Sequence, residues 1–483
     1  MKSIKNQITS AFFISFLAAS CGDNARNPVE VGGNGGGAAE SATGAGGGSS
    51  GTGGVKELLD VSGDVTTNTT WSHVNDYLMK GVIFVKAGAT LTIEAGTTIK
   101  GDPESRAVLV VQPGAKLVAQ GTASEPIVFT SLAEEGSKKA GDWGGVIVLG
   151  KAPVNVPGGQ PAIEGLTSGG TYGGSDPDDS SGVISYVRVE YSGVLLSPNN
   201  EVNGLTFGGV GRGTKLDHVQ VRHTLDDCFE FFGGTVNGKY LACQYNQDDG
   251  LDWDFGYTGK VQFFVLQQDP SVADDTNGFE GDNDALGSNN APFTSPTVYN
   301  ATLCGHGVEV PKNQYGMLLR RNVKAHIFNT VAVGFEAGIE IRDEKTGISA
   351  ANGDLQVRNS IFFGSVGAGV VDHIAAPEPK DALCTCSGDP VDASVCDKSC
   401  DADLDELAWI ETASFKNSFA DPKIPGCFDA GSPKFGPAVS LTANAATPPD
   451  DGFFDASATY IGAFKDGADD WATAGNWALW SAD

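Results

Sequence analysis

Between positions 226 and 284 the chain carries 13 carboxylates against two cations, Lys239 and Lys260. The acids keep a phase. Asp226-Asp227-Cys228-Phe229-Glu230 aligns with Asp248-Asp249-Gly250-Leu251-Asp252 and, with two residues inserted, with Asp274-Asp275-Thr276-Asn277-Gly278-Phe279-Glu280. Stacked turns of chain would set Glu230, Asp252 and Glu280 in one column, and Phe232, Asp254, Asp282, Arg320 and Arg342 in a second, where Asp282 meets Arg320. Two unit charges about 4.8 Å apart repel by roughly 3.5 kcal/mol at an effective dielectric near 20. Three chemistries would offset that. A hard cation such as Ca²⁺ takes carboxylate oxygens, with Asp226, Asp227, Glu230, Asp248, Asp249, Asp252, Asp254, Asp274, Asp275, Glu280 and Asp282 as candidate ligands. Water would screen the same acids if they sit in open turns, where Asp is common because it bonds its own backbone. Catalytic carboxylates would need two of them flanking a glycosidic oxygen. The histidines show no metal-ligand spacing, which leaves a zinc hydrolase without support.

The elements that must position these acids are read from repetition. Val85-Lys86-Ala87-Gly88-Ala89-Thr90-Leu91 returns as Val111-Gln112-Pro113-Gly114-Ala115-Lys116-Leu117. Gly or Cys followed by an apolar residue recurs at Gly204-Leu205, Cys228-Phe229, Gly250-Leu251, Gly278-Phe279, Gly316-Met317, Gly338-Ile339 and Gly369-Val370. A downstream column sets Asn300, Asn329 and Asn359, expected to form a ladder bonded to itself. Short strands with period-two alternation, repeated at this length, predict an all-β, right-handed parallel β-helix. Val219, Val221, Phe229, Phe231, Leu251 and Trp253 should point inward.

The rest of the chain is organised around that body. Its 483 residues carry a formal charge of −29, which excludes binding to phosphate backbones in the absence of a basic run. Lys2 and Lys5 precede a short apolar run, the pattern of a secretory signal over 1–20. Leu17-Ala18-Ala19-Ser20-Cys21 resembles the lipobox of bacterial lipoproteins, which implies a lipid on Cys21 and attachment to the outer membrane. Residues 21–54 read as a Gly-rich flexible tether. The β-helix is expected over 55–375, with a cap in 55–80. A Cys-rich insertion with a short helix near Leu404–Phe419 follows over 376–430, and an aromatic cap over 431–483. Trp471, Trp477 and Trp480 would either cover an open end of the core or form a sugar platform. Eight cysteines, Cys228, Cys243, Cys304, Cys384, Cys386, Cys396, Cys400 and Cys427, are disulfide candidates in an oxidising compartment, with pairing left open.

Two resemblances bear on function. Asp227-Cys228-Phe229-Glu230-Phe231 and Gly305-His306-Gly307 resemble the Asp-Asp-Cys and Gly-His-Gly elements of polygalacturonases, although about 77 residues separate them here, against about one coil in that family. More broadly, Gly88-Ala89-Thr90-Leu91-Thr92-Ile93, Gly141-Asp142-Trp143-Gly144-Gly145-Val146, Phe231-Phe232-Gly233-Gly234-Thr235-Val236 and Tyr460-Ile461-Gly462-Ala463-Phe464 resemble a family of bacterial exported β-helix lipoproteins and surface proteins. That resemblance implies the fold and an envelope location, and carries over no reaction. The expected function is a lipid-anchored envelope protein that binds a polysaccharide or a surface protein, with Ca²⁺ as the one candidate cofactor. The alternative is a polysaccharide hydrolase or lyase working on the acids of 226–284.

Overall fold

The computed structural model describes residues 56–197, 200–272, 276–308, 314–366, 404–424 and 426–481. Cys21, Asp274, Asp275, Cys384, Cys386, Cys396, Cys400 and the Gly369-Val370 repeat lie outside them. The body is a parallel β-helix. One sheet of nine strands runs in spatial order from Val82–Val85 to Glu340–Ile341, and a larger sheet of fifteen holds the remaining long strands. Among the described residues no helix is long and apolar enough to cross a membrane.

The larger sheet is folded lengthwise. In Lys215–Arg222, Asn237–Gln244, Lys260–Gln267, Thr297–Cys304 and His326–Val333 the fourth residue has positive φ. These residues are His218, Tyr240, Phe263, Asn300 and Asn329, and the inter-strand register skips each one. A single left-handed residue bends an extended chain sharply. Each coil therefore has three flat sides: the nine-stranded sheet and the two limbs of the bent one.

Stacking in register builds the interior. Leu205 pairs with Phe229, Phe229 with Leu251, Leu251 with Phe279 and Phe279 with Met317, and none is more than 1% exposed. Val219, Val221, Phe231 and Trp253 are likewise fully buried. The glycine that precedes this file is a matter of clearance between coils. A Cβ on Gly278 would lie 2.4 Å from the Gly316 carbonyl oxygen, and one on Gly316 would lie 2.4 Å from that of Gly338. Cys228 takes the same place in its coil and is bonded to Cys243, while Cys304 is bonded to Cys427.

Three expectations are corrected. Residues 55–80 are not a cap: Glu57–Ser62 and Asn75–Lys80 pair in parallel and already form the first coil. The tail does not cover the end of the core. Trp409 and Ile410, on the short helix Glu406–Ile410, enter the main core there, with Trp409 Nε1 donating to the Ala350 carbonyl at 3.1 Å. Trp471, Trp477 and Trp480 instead pack along one flank, where Ile461, Phe464 and Trp477 cover Val265, Val331 and Ile361. Finally, Asn300, Asn329 and Asn359 align but do not bond one another. Their left-handed backbone turns the side chains outward, where each amide donates to the tail: Asn300 to Tyr460 O at 2.7 Å, Asn329 to Ala446 O at 2.9 Å and Asn359 to Asn444 O at 2.6 Å.

Leu251 sits mid-file with neighbours above and below. Leu251→Ala should lower unfolding free energy by about 2–5 kcal/mol, the cost of a cavity in a packed core. The change should appear as a lower denaturant midpoint at unchanged slope.

Candidate functional site

The nine-stranded sheet alternates core and outer positions, so Leu251-Asp252-Trp253-Asp254 places its two acids on the outer face. The predicted columns are present. Glu230 pairs with Asp252, Asp252 with Glu280, Glu280 with Leu318 and Leu318 with Glu340. In the second column, Arg320 Nε donates to Asp282 at 3.0 Å, and its guanidinium also bonds Glu280. Arg321 adds a 2.6 Å bond to Asp282.

A third column is not among those expected. Asn203 Oδ1 accepts from the backbone N–H of Asp227, Asp227 Oδ1 from Asp249 at 2.7 Å, Asp249 Oδ1 from Asn277 at 3.0 Å, and Asn277 Oδ1 from Tyr315 at 3.0 Å. Each side chain thus caps the next coil. The signal is readable in the sequence, because each of these residues directly precedes the Gly or Cys column. Capping needs only a carbonyl-type oxygen, which Asn203 and Asn277 supply without charge. At Asp227 and Asp249 the charge is additional to the structural role.

Those two charges fall among others. Carboxylate oxygens of Asp226, Asp227 and Asp248 lie within 4.8 Å of one another, as do those of Asp227, Asp249 and Asp252. Asp227 belongs to both groups. The site also recruits acids that sequence reasoning missed, since nothing periodic marks them. Glu164 comes from the 150–181 segment and reaches Glu230, and Glu201 acts on Asp226. Carboxyls therefore face one another in pairs: Glu164 and Glu230, Asp226 and Asp248, and Asp249 and Glu280. Such a contact forms only when one partner holds a proton or a cation takes its place.

The acids are largely buried. Val154, Ile163 and Tyr172 of the 150–181 segment pack on Val108, Ile147 and Phe232 beside them. Glu230 is 5% exposed, Glu280 8% and Asp249 3%, while Asp252 and Asp254 are half-buried. The Oδ1 atoms of Asp252 and Asp254 are enclosed without a hydrogen-bond partner among the described residues. Burial, then neighbouring acids, drives Asp227, Glu230, Asp248, Asp249, Asp252 and Asp254 well above the carboxylate range. Burial and Glu201 push Asp226 up to about 7. Asp282 goes the other way: burial raises it, but Arg320 and Arg321 together hold it below its ordinary value.

Five of the predicted residues therefore converge: Asp226, Asp227, Asp248, Asp249 and Asp252. Glu230, Asp254, Glu280 and Asp282 flank them, the last two engaged by arginine. His306 is buried elsewhere. Burial lowers its ring to about 4, and Asp269 and Gln314 act on it rather than any acid of the columns.

No curated protein and no solved structure is significantly similar to the chain. A family model described as a pectate-lyase-like β-helix domain matches residues 63–389, more than half of the sequence. With the coil geometry above, this match places the chain in the pectate-lyase-like β-helix domain family.

Proposed function

We propose that this protein is an envelope-bound, Ca²⁺-ordered β-helix that binds a polysaccharide or a surface protein. The sequence supports the address: a signal-like run, Cys21 in a lipobox-like setting for attachment to the outer membrane, and a Gly-rich tether. The observation that carries the cation is the charge at Asp227 and Asp249, in a ladder where Asn203 and Asn277 do the structural work uncharged. Two oxygens on opposite sides of a Ca²⁺ ion, each at about 2.4 Å, are about 4.8 Å apart. The oxygens of each group around Asp227 lie within that span, close enough to share one ion. Ca²⁺ there would replace the protons that the carboxyl pairs otherwise require, and would hold two successive coils together.

Binding is preferred to turnover because the acids are largely buried and Arg320, 2% exposed, is committed to Glu280 and Asp282. A base must be free to take a proton from substrate. The polysaccharide hydrolase or lyase reading draws on the same Glu280–Arg320 contact and on the family's pectate-lyase-like description. A screen of neutral and anionic polysaccharides for new reducing ends or unsaturated products separates the two. We expect none; turnover lost in Asp252→Ala would establish the enzyme instead.

Two expectations concern the ion. Ca²⁺ should raise the melting temperature by several degrees over the chelated protein, and calorimetric titration should show saturable binding. Asp227→Asn keeps the ladder acceptor and removes one crowded charge. Its chelated form should be more stable than the parent by about 1–3 kcal/mol, because the parent must keep that buried carboxyl protonated on folding, while the Ca²⁺-induced shift should be lost. An unchanged Ca²⁺ response in this variant would remove Asp227 from the site.

The pH dependence has a definite sign. For Asp226 the folded value of about 7 exceeds the unfolded value near 3.8. The folded state therefore binds more protons in that window, and stability of the chelated protein should fall as pH rises from about 4 to about 7. Saturating Ca²⁺ should flatten that slope. Thermal melts across this range, with and without chelator, measure both.

A further inference from the structure

The outer side of one limb of the bent sheet is not open to solvent. The C-terminal segment lies on it lengthwise, running back from the last coils toward the first. Asn444 meets Asn359, Asp455 meets Gln262, Leu479 meets Gln220, and Asn476 N–H reaches the Ala123 carbonyl at 2.7 Å.

The manner of attachment is unusual in being addressed to main chain. Three carboxamides each make a two-way pair with one residue of the segment. Gln220 donates to Leu479 O at 3.0 Å and accepts from its N–H at 2.7 Å. Gln262 does the same with Asp455 at 3.3 and 2.7 Å. Asn329 does so with Ala446 at 2.9 and 2.8 Å. A side-chain amide that both gives to the C=O and takes from the N–H of one residue imitates a neighbouring β-strand, the logic of strand-addition binding sites. Selectivity then rests on aromatic anchors: Trp477 meets Tyr186 edge-on at 6.2 Å, and Trp471 meets Tyr240 at 5.3 Å.

The attachment is also non-covalent beyond Cys427, whose disulfide to Cys304 is the last link before the segment begins. Between them the chain passes through Val439, which is 76% exposed. We propose that this flank is a polypeptide-binding site, that the segment from Leu441 to Ser481 is its ligand, and that the same segment of a second copy can occupy it. The second copy is the fitting partner because every contact, carboxamide pair and tryptophan anchor alike, is reproduced by an identical segment. Exchange at an exposed hinge is a low-cost route to association. The covalent hold at Cys427 keeps the local segment at high effective concentration, so exchange requires concentrated protein.

The test uses the full chain with a specific protease site inserted after Val439. After cleavage, the 440–483 fragment should co-elute with the body in gel filtration. Added isotope-labelled peptide of the same sequence should replace it, followed by mass spectrometry of the intact complex. Changing Gln220, Gln262 and Asn329 together to Ala should speed fragment loss at least tenfold, with the circular dichroism of the body retained. A fragment that falls off during gel filtration, or one that never exchanges with labelled peptide, would overturn the assignment. Uncleaved chains of two different masses, mixed at rising concentration, should yield a heterodimer by native mass spectrometry. Persistence of monomers alone would overturn the role of the second copy.

Discussion

Parallel stacking of coils in register is the constraint on which everything else rests. Neighbouring strands of a sheet lie about 4.8 Å apart, so whatever residue type occupies one place in a coil must tolerate its counterpart directly above. For Leu205, Phe229, Leu251 and Phe279 the rule is favourable, since like packs on like. For Glu230, Asp252 and Glu280 the same rule imposes repulsion that burial makes worse. The acidic columns and the apolar core are thus two results of one geometry.

The three sides of the coil meet the solvent in different ways. The nine-stranded sheet is covered in part by the 150–181 segment, whose Val154, Ile163 and Tyr172 pack on it before the acids begin. One limb of the bent sheet lies beneath the tail, with Trp477 and Phe464 over Val331 and Val265. The other limb carries Lys215 and, just ahead of its strand, Lys324, which pair with Asp217 and Asp354. Chain that leaves the helix and returns to it is therefore spent on flanks, and Trp409 and Ile410 close the far end of the core.

What could be read in advance follows from periodicity. The inward file and the two columns repeat once per coil, so a local alignment of one strand onto the next is already a contact map, and it includes the Asp282–Arg320 meeting. Glu164 could not be found that way, because it arrives on an insertion that has no counterpart in other coils. The path of the tail was hidden for a related reason. Gln220, Gln262 and Asn329 bind main chain, which every sequence possesses, so the partner residues Leu479, Asp455 and Ala446 carry no mark of the pairing. The tryptophans do cover apolar surface, but aromatic content alone does not say which surface.

The lengthwise tail has a mechanical consequence. Within the helix, each coil is held to the next by hydrogen bonds aligned with the axis, and these would be loaded together if the two ends were pulled apart. The tail crosses many coils and is bonded to them in succession, as at Asn359, Gln262 and Gln220. It therefore acts as a tendon beside a column: bending that opens the flank beneath it stretches the tail, whereas bending toward it does not, and the rod is stiffer in one direction than in the other.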